Sequence, residues 1–403
     1  MQEFLHHLRT IQFALSFVCF SVDTVLSSIH SEVPGMGWFI LPDFITLSLS
    51  GYYIITVGKQ WNKNTANSDV ALNIFLIILW IIYGSSKAYT FSKLIVVSGA
   101  TGAQGGSVVN SLLATGHYKI RGLTRKPDSD KAKALKSKGV EVFKCDLSNK
   151  DEVKEALKGA DIAWIVTNFW DPSIVGQDVN EEVRQGKMIA DVAKEEGVNW
   201  LFYSSLPNTT TESGGKYSEI LHFAGKNNVE QYIRKLGIPN VTFNYLGFYS
   251  QNFGGSVPTK QKENGEIEIV FPYLEEDDKI PMIDVESDTG PIVAKIIEEG
   301  PEKWNGKKVP VAAEYATLKS IAESFTKATG KTHKIKTAHN DEEVAKEFPP
   351  SFNNEEFKQM YKWFKEFGYY GKDTEVNDLS VAKKLHPNIK TFEKYVLEHY
   401  GKA

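Results

Sequence analysis

Residues 94–106 read Leu-Ile-Val-Val-Ser-Gly-Ala-Thr-Gly-Ala-Gln-Gly-Gly, and this stretch decides the fold of the chain. Its first five residues are a short apolar, β-branched run, as expected of a buried parallel strand. Glycines follow at once, and residues 107–115 then favour a helix that Gly116 closes. A strand, a glycine loop and a helix in this order are the context that a dinucleotide-binding motif needs. The stretch predicts an α/β domain built on a parallel sheet.

The spacing of the glycines in this loop suits a bound pyrophosphate. Gly99 permits the tight turn, Gly102 lets the backbone approach the phosphates, and Gly105 lets the helix pack close to the strand. The helix N-terminus then offers free amides and a favourable dipole to the negative charge. We expect cofactor contacts from the following residues of the loop: Gly99, Thr101, Gly102, Ala103, Gln104 and Gly105.

The second strand, predicted over residues 119–124, ends in Arg125-Lys126-Pro127. NAD-binding folds place a carboxylate at this position to accept a hydrogen bond from the ribose 2′-hydroxyl. No carboxylate is present here, whereas two cations would complement a 2′-phosphate, Arg125 in a bidentate manner. We therefore predict NADP(H) rather than NAD(H) as the cofactor, with Arg125 and Lys126 among its ligands.

Further strands are predicted at residues 140–145, 161–166 and 200–203, with helices at 150–159 and about 179–196 between them. Ligands of open parallel sheets lie at the carboxyl ends of the strands. Polar residues follow these strand ends: Asp146, Thr167, Asn168 and Ser204. We expect them to converge on one crevice with the glycine loop and Arg125, with Asp146 where the adenine would lie.

The composition excludes several other classes of function. The chain has 403 residues, of which 42% are hydrophobic and 24% charged, and its net charge is -4. These values are ordinary for a globular protein and give no indication of a nucleic-acid partner. Cys19 and Cys145 cannot form a disulfide framework, which fits a reducing compartment. Metal-ligand spacings such as HExxH are absent from the sequence, so we expect no metal site.

Residues 1–90 differ sharply from the rest, with apolar stretches at 11–29, 36–58 and 70–84. A membrane-spanning helix needs about 20 apolar residues, so we expect transmembrane helices and membrane association through residues 11–86. Asp23 and Asp43 lie inside the first two stretches, where a carboxylate is costly. The alternative is a buried helical hairpin in a soluble protein.

The same region resembles the first helices of a fungal MARVEL-type membrane domain. The resemblance rests on Leu-Arg-x-x-Gln-Phe at residues 8–13 and on the segment at residues 72–80. That family normally has four spans, so the resemblance implies a truncated membrane module or a gene-model fusion. Because a role for NADP(H) favours the cytosolic face, we expect a membrane protein with its nucleotide domain in the cytoplasm. If the N-terminal segment is a gene-model artefact, we expect a cytoplasmic or nuclear protein.

From Lys93 almost to the end, the chain resembles the NmrA-like family of atypical short-chain dehydrogenases. The matching motifs are Gly-Ala-Thr-Gly-Ala-Gln-Gly-Gly-Ser at 99–107, Leu-Thr-Arg at 123–125, Gln-Gly-Lys at 185–187, Tyr-Ser-Ser-Leu at 203–206, His-Phe-Ala-Gly-Lys at 222–226 and Phe-Tyr-Ser-Gln-Asn at 248–252. The resemblance implies a Rossmann-type doubly wound parallel sheet over residues 93–250. It also implies a smaller C-terminal α+β lid subdomain over residues 251–403, with one return to the main sheet, which we place at residues 272–288.

The chemistry departs from the usual pattern of short-chain dehydrogenases, which is Tyr-x-x-x-Lys. His222 stands four residues before Lys226, on the same helical face, and no tyrosine occupies that position. Tyr217 would lie on the wrong side of an uninterrupted helix. We expect Lys226 to contact the nicotinamide ribose or support the site, and His222 to pack beside the cofactor. The alternative is that His222 or Lys226 donates a proton.

Two functions follow. The missing tyrosine and the family resemblance favour an NADP(H)-binding redox sensor or regulator with little turnover, whose lid would present a surface to a protein partner. The alternative is an NADPH-dependent reductase of a small carbonyl or enone substrate, with aromatic substrates among the candidates. Its apolar pocket would be formed by Phe169, Trp170, Phe248 and Tyr249. Amphipathic helices are predicted at residues 318–330 and 354–367, and we interpret their aromatic residues as core packing.

Overall fold

Short apolar runs form the strands of this protein, and the amphipathic segments between them form its helices. The computed structural model describes residues 93–172, 174, 178, 180–350 and 354–401. The membrane segments expected at residues 11–86 lie outside the described residues. Within the part of the chain that is described, none of the helices combines the length and hydrophobicity that a bilayer crossing requires.

The strands in chain order are β1 (Leu94–Val97), β2 (Lys119–Thr124), β3 (Glu141–Lys144), β4 (Ile162–Ile165), β5 (Trp200–Ser205), β6 (Asn240–Leu246), β7 (Phe248–Tyr249), β8 (Thr259–Gln261), β9 (Ile267–Pro272), β10 (Lys279–Ile283), β11 (Lys308–Val311), β12 (Glu314–Thr317) and β13 (His333–Ala338).

The helices are α1 (Ala103–Thr115), α2 (Asp130–Ser137), α3 (Lys150–Leu157), α4 (Glu181–Glu195), α5 (Thr209–Glu212), α6 (Leu221–Leu236), α7 (Val285–Glu299), α8 (Pro301–Trp304), α9 (Leu318–Thr329), α10 (Asp341–Glu347), α11 (Glu355–Phe367), α12 (Thr374–Asn377), α13 (Ser380–Leu385) and α14 (Phe392–Tyr400). A 3₁₀ turn spans Ser250–Gly254.

The main sheet is parallel throughout and has seven strands in the order β11-β6-β5-β4-β1-β2-β3. Reversal of the strand order at β1 is the arrangement of a Rossmann fold, in which the ligand crevice lies at the carboxyl ends beside that point. The predicted α/β fold with its parallel sheet is therefore confirmed.

Alternate residues of the strands bury against two separate helical layers. Ile95 and Val97 of β1 pack with Val108 and Leu112 of α1. Val96, which points to the opposite face, belongs to the core that α3, α4 and α6 cover. Because both faces are covered, the central strands are apolar at nearly every position.

The return to the main sheet is not where we expected it. Lys279–Ile283 (β10) joins a separate sheet, between β12 and β7, and β11 makes the return by pairing with β6. Both segments are short apolar runs that contain a proline, so their local pattern does not distinguish them. The strand that returns is the one that reaches the open edge of β6. The packing of the intervening helices, which the local pattern does not show, determines which of the two segments does so.

Helix α7 joins the C-terminal part of the chain to the nucleotide half. Its Gly290 N–H donates to Ser107 Oγ of α1 at 2.9 Å. A Cβ atom built on Gly290 would lie 2.0 Å from the Ser107 carbonyl oxygen, so the two backbones approach as closely as a glycine allows. Residues beyond the predicted boundary at 250 thus pack directly on the glycine-loop helix.

Two three-stranded sheets, β12-β10-β7 and β13-β9-β8, build the smaller part of the fold. Helices α9, α11 and α14 pack with them around a cluster of aromatic rings, among them Phe253, Phe325 and Phe392. This subdomain places α11 over the carboxyl edge of the main sheet, where its side chains line the cavity described below.

Candidate functional site

A cavity of about 1210 Å³ opens at the carboxyl edge of the main sheet, between the glycine loop and α11. Its wall contains every residue that we singled out from the sequence as a cofactor or catalytic candidate: Gly99, Thr101, Gly102, Ala103, Gln104, Gly105, Arg125, Lys126, Asp146, Thr167, Asn168, Ser204, His222 and Lys226. The structure thus brings these residues together, although their contacts differ from our expectations at several positions.

The glycine loop has the shape that a pyrophosphate requires. Gly99 has φ +59, and a Cβ on Gly105 would lie 2.4 Å from the carbonyl oxygens of Gly99 and Ser98. Helix α1 begins at Ala103, directly after Gly102, with no side-chain cap and no acidic residue in its first turn. Its first amides therefore have no intrahelical acceptor and face the cavity end of the loop.

Gln104 and Tyr249 meet beside this loop. Gln104 Nε2 donates to the Tyr249 hydroxyl, while Gln104 Oε1 is buried without a hydrogen-bond partner. Burial raises the pKa of Tyr249 to about 12, against the opposing effect of the Gln104 hydrogen bond, so the phenol is protonated at neutral pH. The unpaired amide oxygen, the tight Gly105 and the uncapped helix together fit a polar, anionic dinucleotide.

Arg125 and Lys126 directly follow β2 at the edge of the cavity, so the strand end carries two cations where NAD-binding folds place a carboxylate. Arg125 already has a partner, because its guanidinium lies 2.6 Å from Asp171 Oδ2 on the loop after β4. The Arg125 side chain is 57% exposed, so it can move. Binding of a 2′-phosphate by Arg125 would therefore compete with Asp171, a residue that we had not singled out.

Lys226 makes its contacts inside the protein. Its Nζ donates to Thr167 O at 2.9 Å, Thr167 Oγ1 at 3.1 Å and Glu182 Oε1 at 2.6 Å. An ammonium has three donors, so none remains for a ribose or a substrate while these contacts hold. Thr167 also differs from our expectation, because its hydroxyl donates to Glu182 at 2.7 Å and it is almost fully buried.

Glu182 was missed in the sequence analysis although a signal was present. In α4 the buried residues recur as Glu182, Gln185, Gly186, Ile189, Ala190, Val192 and Ala193. This is the spacing of one helical face, and Glu182 falls on it. A carboxylate on a buried face needs a cation, and Lys226 is the cation that α6 supplies.

His222 is held by α11. Its Nδ1 pairs with Glu356 Oε1, and its backbone N–H donates to the same oxygen at 2.9 Å. The ring centroids of Phe169 and Trp170 lie 5.7 and 5.1 Å from that of the imidazole. Glu356, which was also missed, lies 134 residues away in the chain, so nothing in the local sequence around His222 indicates this partner.

Tyr217 lies outside this site, but not for the reason we had assumed. Helix α6 begins only at Leu221, so Tyr217 precedes it rather than lying on its far face. Its hydroxyl donates to Glu366 Oε2 at 2.6 Å, and it does not line the cavity. A tyrosine acid paired with Lys226 is therefore absent from the described residues of this cavity.

Aromatic and apolar side chains form the far wall of the cavity. They come from α11 and the turn after it and are Phe357, Met360, Tyr361, Phe364 and Tyr369. The four expected pocket residues, Phe169, Trp170, Phe248 and Tyr249, line it as well. Our interpretation of the α11 aromatics as core packing was incomplete, since these side chains are buried and also face the cavity. Burial raises the pKa of Tyr361 and Tyr369, so both phenols are neutral.

A profile of the NmrA-like family matches residues 91–396. The chain belongs to the NmrA-like family. The NmrA-like family domain-containing oxidoreductase cpsB of Aspergillus campestris is 34% identical over 254 residues, which cover 59% of this chain and 73% of cpsB. An NmrA-like family domain-containing protein of Dictyostelium discoideum is 31% identical over 311 residues, which cover 76% of this chain and 97% of that protein.

The solved structures include NmrA itself, a negative transcriptional regulator. NmrA in complex with NAD is 25% identical and has a TM-score of 0.63, covering 77% of this chain and 96% of that chain. NmrA in complex with NADP has a TM-score of 0.66 over the same shares at 24% identity. The proteins that this NmrA-like chain is similar to thus include a regulator that binds NADP or NAD and an oxidoreductase.

Proposed function

We propose that this chain is an NADPH-dependent reductase of an apolar, aromatic carbonyl or enone substrate. The observation that carries the proposal is the continuity of the cavity, which runs from the glycine loop to the aromatic wall of α11. Ligand sites of this kind combine an apolar lining with a few polar groups. When bound at the loop, NADPH supplies a hydride to the electrophilic carbon of a substrate held against that wall.

The preference for NADP(H) over NAD(H) is part of this proposal. It is supported by Arg125 and Lys126 after β2, by the lack of a carboxylate at that position, and by the exposure of the Arg125 side chain. The 2′-phosphate would take the place that Asp171 occupies beside the guanidinium.

A second candidate is a redox sensor that binds NADP(H) with little turnover, and it is favoured by the contacts of Lys226. With all three N–H groups bound inside the protein, Lys226 is not available as the acid or ribose ligand of a typical short-chain dehydrogenase. In this case cofactor binding would change the position of α11, and a protein partner would recognise that change.

The two candidates are separated by one experiment on the full-length chain. NADPH and NADH are titrated by fluorescence, and NADPH oxidation is then followed with a panel of aromatic ketones, enones and quinones. A reductase oxidises NADPH in the presence of at least one of these substrates. Tight NADPH binding without turnover of any substrate on the panel would support the redox sensor. Absence of NADPH binding would exclude both candidate functions.

The aromatic wall is tested by Phe364→Leu, with Phe367→Leu as the matched control on the same helix. Phe364 lines the cavity, whereas Phe367 stacks on Trp363 at 4.5 Å and does not line it. We expect the substrate KM to rise about two- to tenfold in Phe364→Leu only, because an aromatic contact contributes about 0.5–1.5 kcal/mol. Equal KM values in the two variants would contradict a substrate site on this wall.

A further inference from the structure

We propose that His222 and Glu356 form an acid–base pair in which Glu356 orients the imidazole and His222 gives its Nε2 proton to the substrate oxygen. In this pair His222 is the catalytic residue and Glu356 a positioning residue. The inference rests on the proposed reductase function and assigns the proton donor that the reaction needs.

The two hydrogen bonds of Glu356 determine which ring nitrogen carries the proton. One oxygen, Oε1, accepts both from the backbone N–H of His222 and from its Nδ1. An ionised carboxylate can only accept, so the Nδ1 position bears hydrogen in every charge state of the ring. Both side chains are nearly buried, at 10% and 12% exposure, which holds this geometry.

Nε2 is then the nitrogen available for chemistry. His222 lines the cavity, and no hydrogen bond to its Nε2 is formed by the described side chains. The ring lies beside Trp170, which is 52% exposed, so water can reach this end of the cavity. The imidazole therefore lies between the substrate space and solvent. A proton donor needs this access to solvent, because it must be protonated again after each turnover.

The same helix supplies the orienting group and the substrate wall. Glu356 precedes Phe357, which lines the cavity together with Met360, Tyr361 and Phe364 of α11. The N-terminus of α6 has no side-chain cap of its own, so the carboxylate from α11 also takes the place of a cap. Because Glu356 belongs to α11, a movement of this helix toward a substrate would also move the group that orients His222.

The proton transfer balances with the hydride transfer. The carbonyl carbon gains the hydride that NADPH supplies, and the π electron pair of the C=O bond moves to the oxygen. The Nε2–H bond of the doubly protonated ring breaks as the O–H bond forms. The product is an alcohol, and the ring remains neutral with its proton on Nδ1 against Glu356. Nε2 then takes up a proton from solvent, which is the one proton that the reduction consumes.

Lys226 is less well placed as the proton donor, and Tyr249 is the competing candidate. Lys226 has its three N–H groups occupied by Thr167 and Glu182. Tyr249 lies in the cavity and accepts a hydrogen bond from Gln104, so it serves as the comparison residue in the test.

The first experiment measures kcat and KM of Glu356→Gln, His222→Gln and Tyr249→Phe in the full-length chain. In Glu356→Gln the amide keeps an oxygen for both contacts but can also donate, so it no longer fixes Nδ1 as the nitrogen that bears hydrogen, and we expect kcat to fall at least tenfold with unchanged substrate KM and NADPH affinity. In His222→Gln we expect kcat to fall about 10²-fold or more. Glu355→Gln, in the exposed neighbour, is the control and should behave as the wild type.

The second experiment does not depend on activity. ¹⁵N NMR of the histidine rings across a pH series, with His222→Gln for assignment, should show that the neutral ring of His222 carries its single proton on Nδ1. In Glu356→Gln the amide can accept or donate, so the preference for Nδ1 should be lost. A neutral wild-type ring whose single proton lies on Nε2 would overturn the proposal.

The outcomes separate the pair from the proposed function. If Glu356→Gln retains the wild-type turnover, or if Tyr249→Phe alone abolishes it, the His222–Glu356 pair is not the proton donor. The proposed reductase function would still stand in either case. Absence of wild-type turnover would overturn the reductase and the acid role of His222 with it.

Discussion

Nζ of Lys226 lies 2.6 Å from Oε1 of Glu182, whose side chain is only 1% exposed. The contact joins α6 to α4 and, through Thr167, to the end of β4. Desolvation of two charges nearly offsets their attraction, so the pair itself contributes little net stability. Loss of one partner is different, because it leaves an uncompensated charge in the core.

Lys226→Met should therefore destabilise the protein by about 3–5 kcal/mol, since Glu182 would remain buried without a cation. The double variant Lys226→Met/Glu182→Leu should recover most of this loss, because no charge is left. Urea unfolding of both variants measures the difference. A fully stable single variant with greatly reduced kcat would instead identify Lys226 as a group that acts on the substrate.

Arg125→Ala should weaken the binding of NADPH by at least about tenfold and leave the binding of NADH unchanged. The two cofactors differ only in the 2′-phosphate, and a charge-assisted hydrogen bond to it contributes about 1.5–3 kcal/mol. Fluorescence titration with both cofactors measures the effect. Arg184→Ala is the control, because Arg184 is an exposed arginine paired with Asp178 and Glu181 away from the cavity.

Asp171→Asn should strengthen NADPH binding, because the carboxylate 2.6 Å from the Arg125 guanidinium no longer competes with the phosphate. The same titration measures this change, and NADH again serves as the internal control. Weaker NADPH binding in Asp171→Asn would show that the ion pair holds Arg125 in place for the cofactor instead of competing with it.

Gly105→Ala should lower both the stability of the protein and its affinity for NADPH. The added methyl group would lie 2.4 Å from the carbonyl oxygens of Gly99 and Ser98, so α1 must move away from β1. Overpacking of this kind costs about 1–3 kcal/mol. Thermal unfolding and NADPH titration give the two readouts.

Gly106→Ala is the matched control for Gly105→Ala. Its Cβ would lie 3.3 Å from Ala100 O, a contact that a small shift relieves, and alanine favours the helix. We expect a stability close to the wild type and normal NADPH binding. If the two variants behave alike, the close approach of α1 to the loop is not what the cofactor site depends on.

Asp284→Asn should destabilise the protein at neutral pH and much less in acid. Asp284 accepts hydrogen bonds from Lys390 at 2.7 Å and from Gln251 at 2.7 Å. Partial burial alone would raise the pKa of Asp284, but the hydrogen bonds from Lys390, Ser287 and Gln251 outweigh it and hold this pKa below 3.8.

The sign follows from proton linkage. A carboxyl whose pKa is lower in the folded state than in the unfolded state contributes its stability above the unfolded pKa, and this is lost as the pH falls through the folded value. The stability difference between wild type and Asp284→Asn, measured by urea unfolding, should therefore shrink as the pH drops below 3.8. Asparagine keeps one acceptor oxygen and can still cap α7, so the variant removes the charge and one of the two acceptors. A difference that grows in acid would contradict this account.

The site was largely predictable at the level of position. Strand ends in a parallel sheet share one edge, so residues after β1, β2, β3, β4 and β5 had to meet once the strands were recognised. Asp146 and Ser204 needed no further information than this. The partners of the polar side chains were not predictable, because Glu182 lies 44 residues from Lys226, and Glu356 lies 134 residues from His222.

The Rossmann sheet, the glycine loop and the residues at the carboxyl edge follow from the sequence alone, because strand, turn and helix patterns are local and repeat with fixed periods. Long-range packing is what makes β11 rather than β10 return to the main sheet, pairs Lys226 with Glu182, and brings the aromatic residues of α11 to the cavity. A local pattern records which face of an element is apolar. It does not record which distant surface that face meets, and that is decided when the whole chain packs.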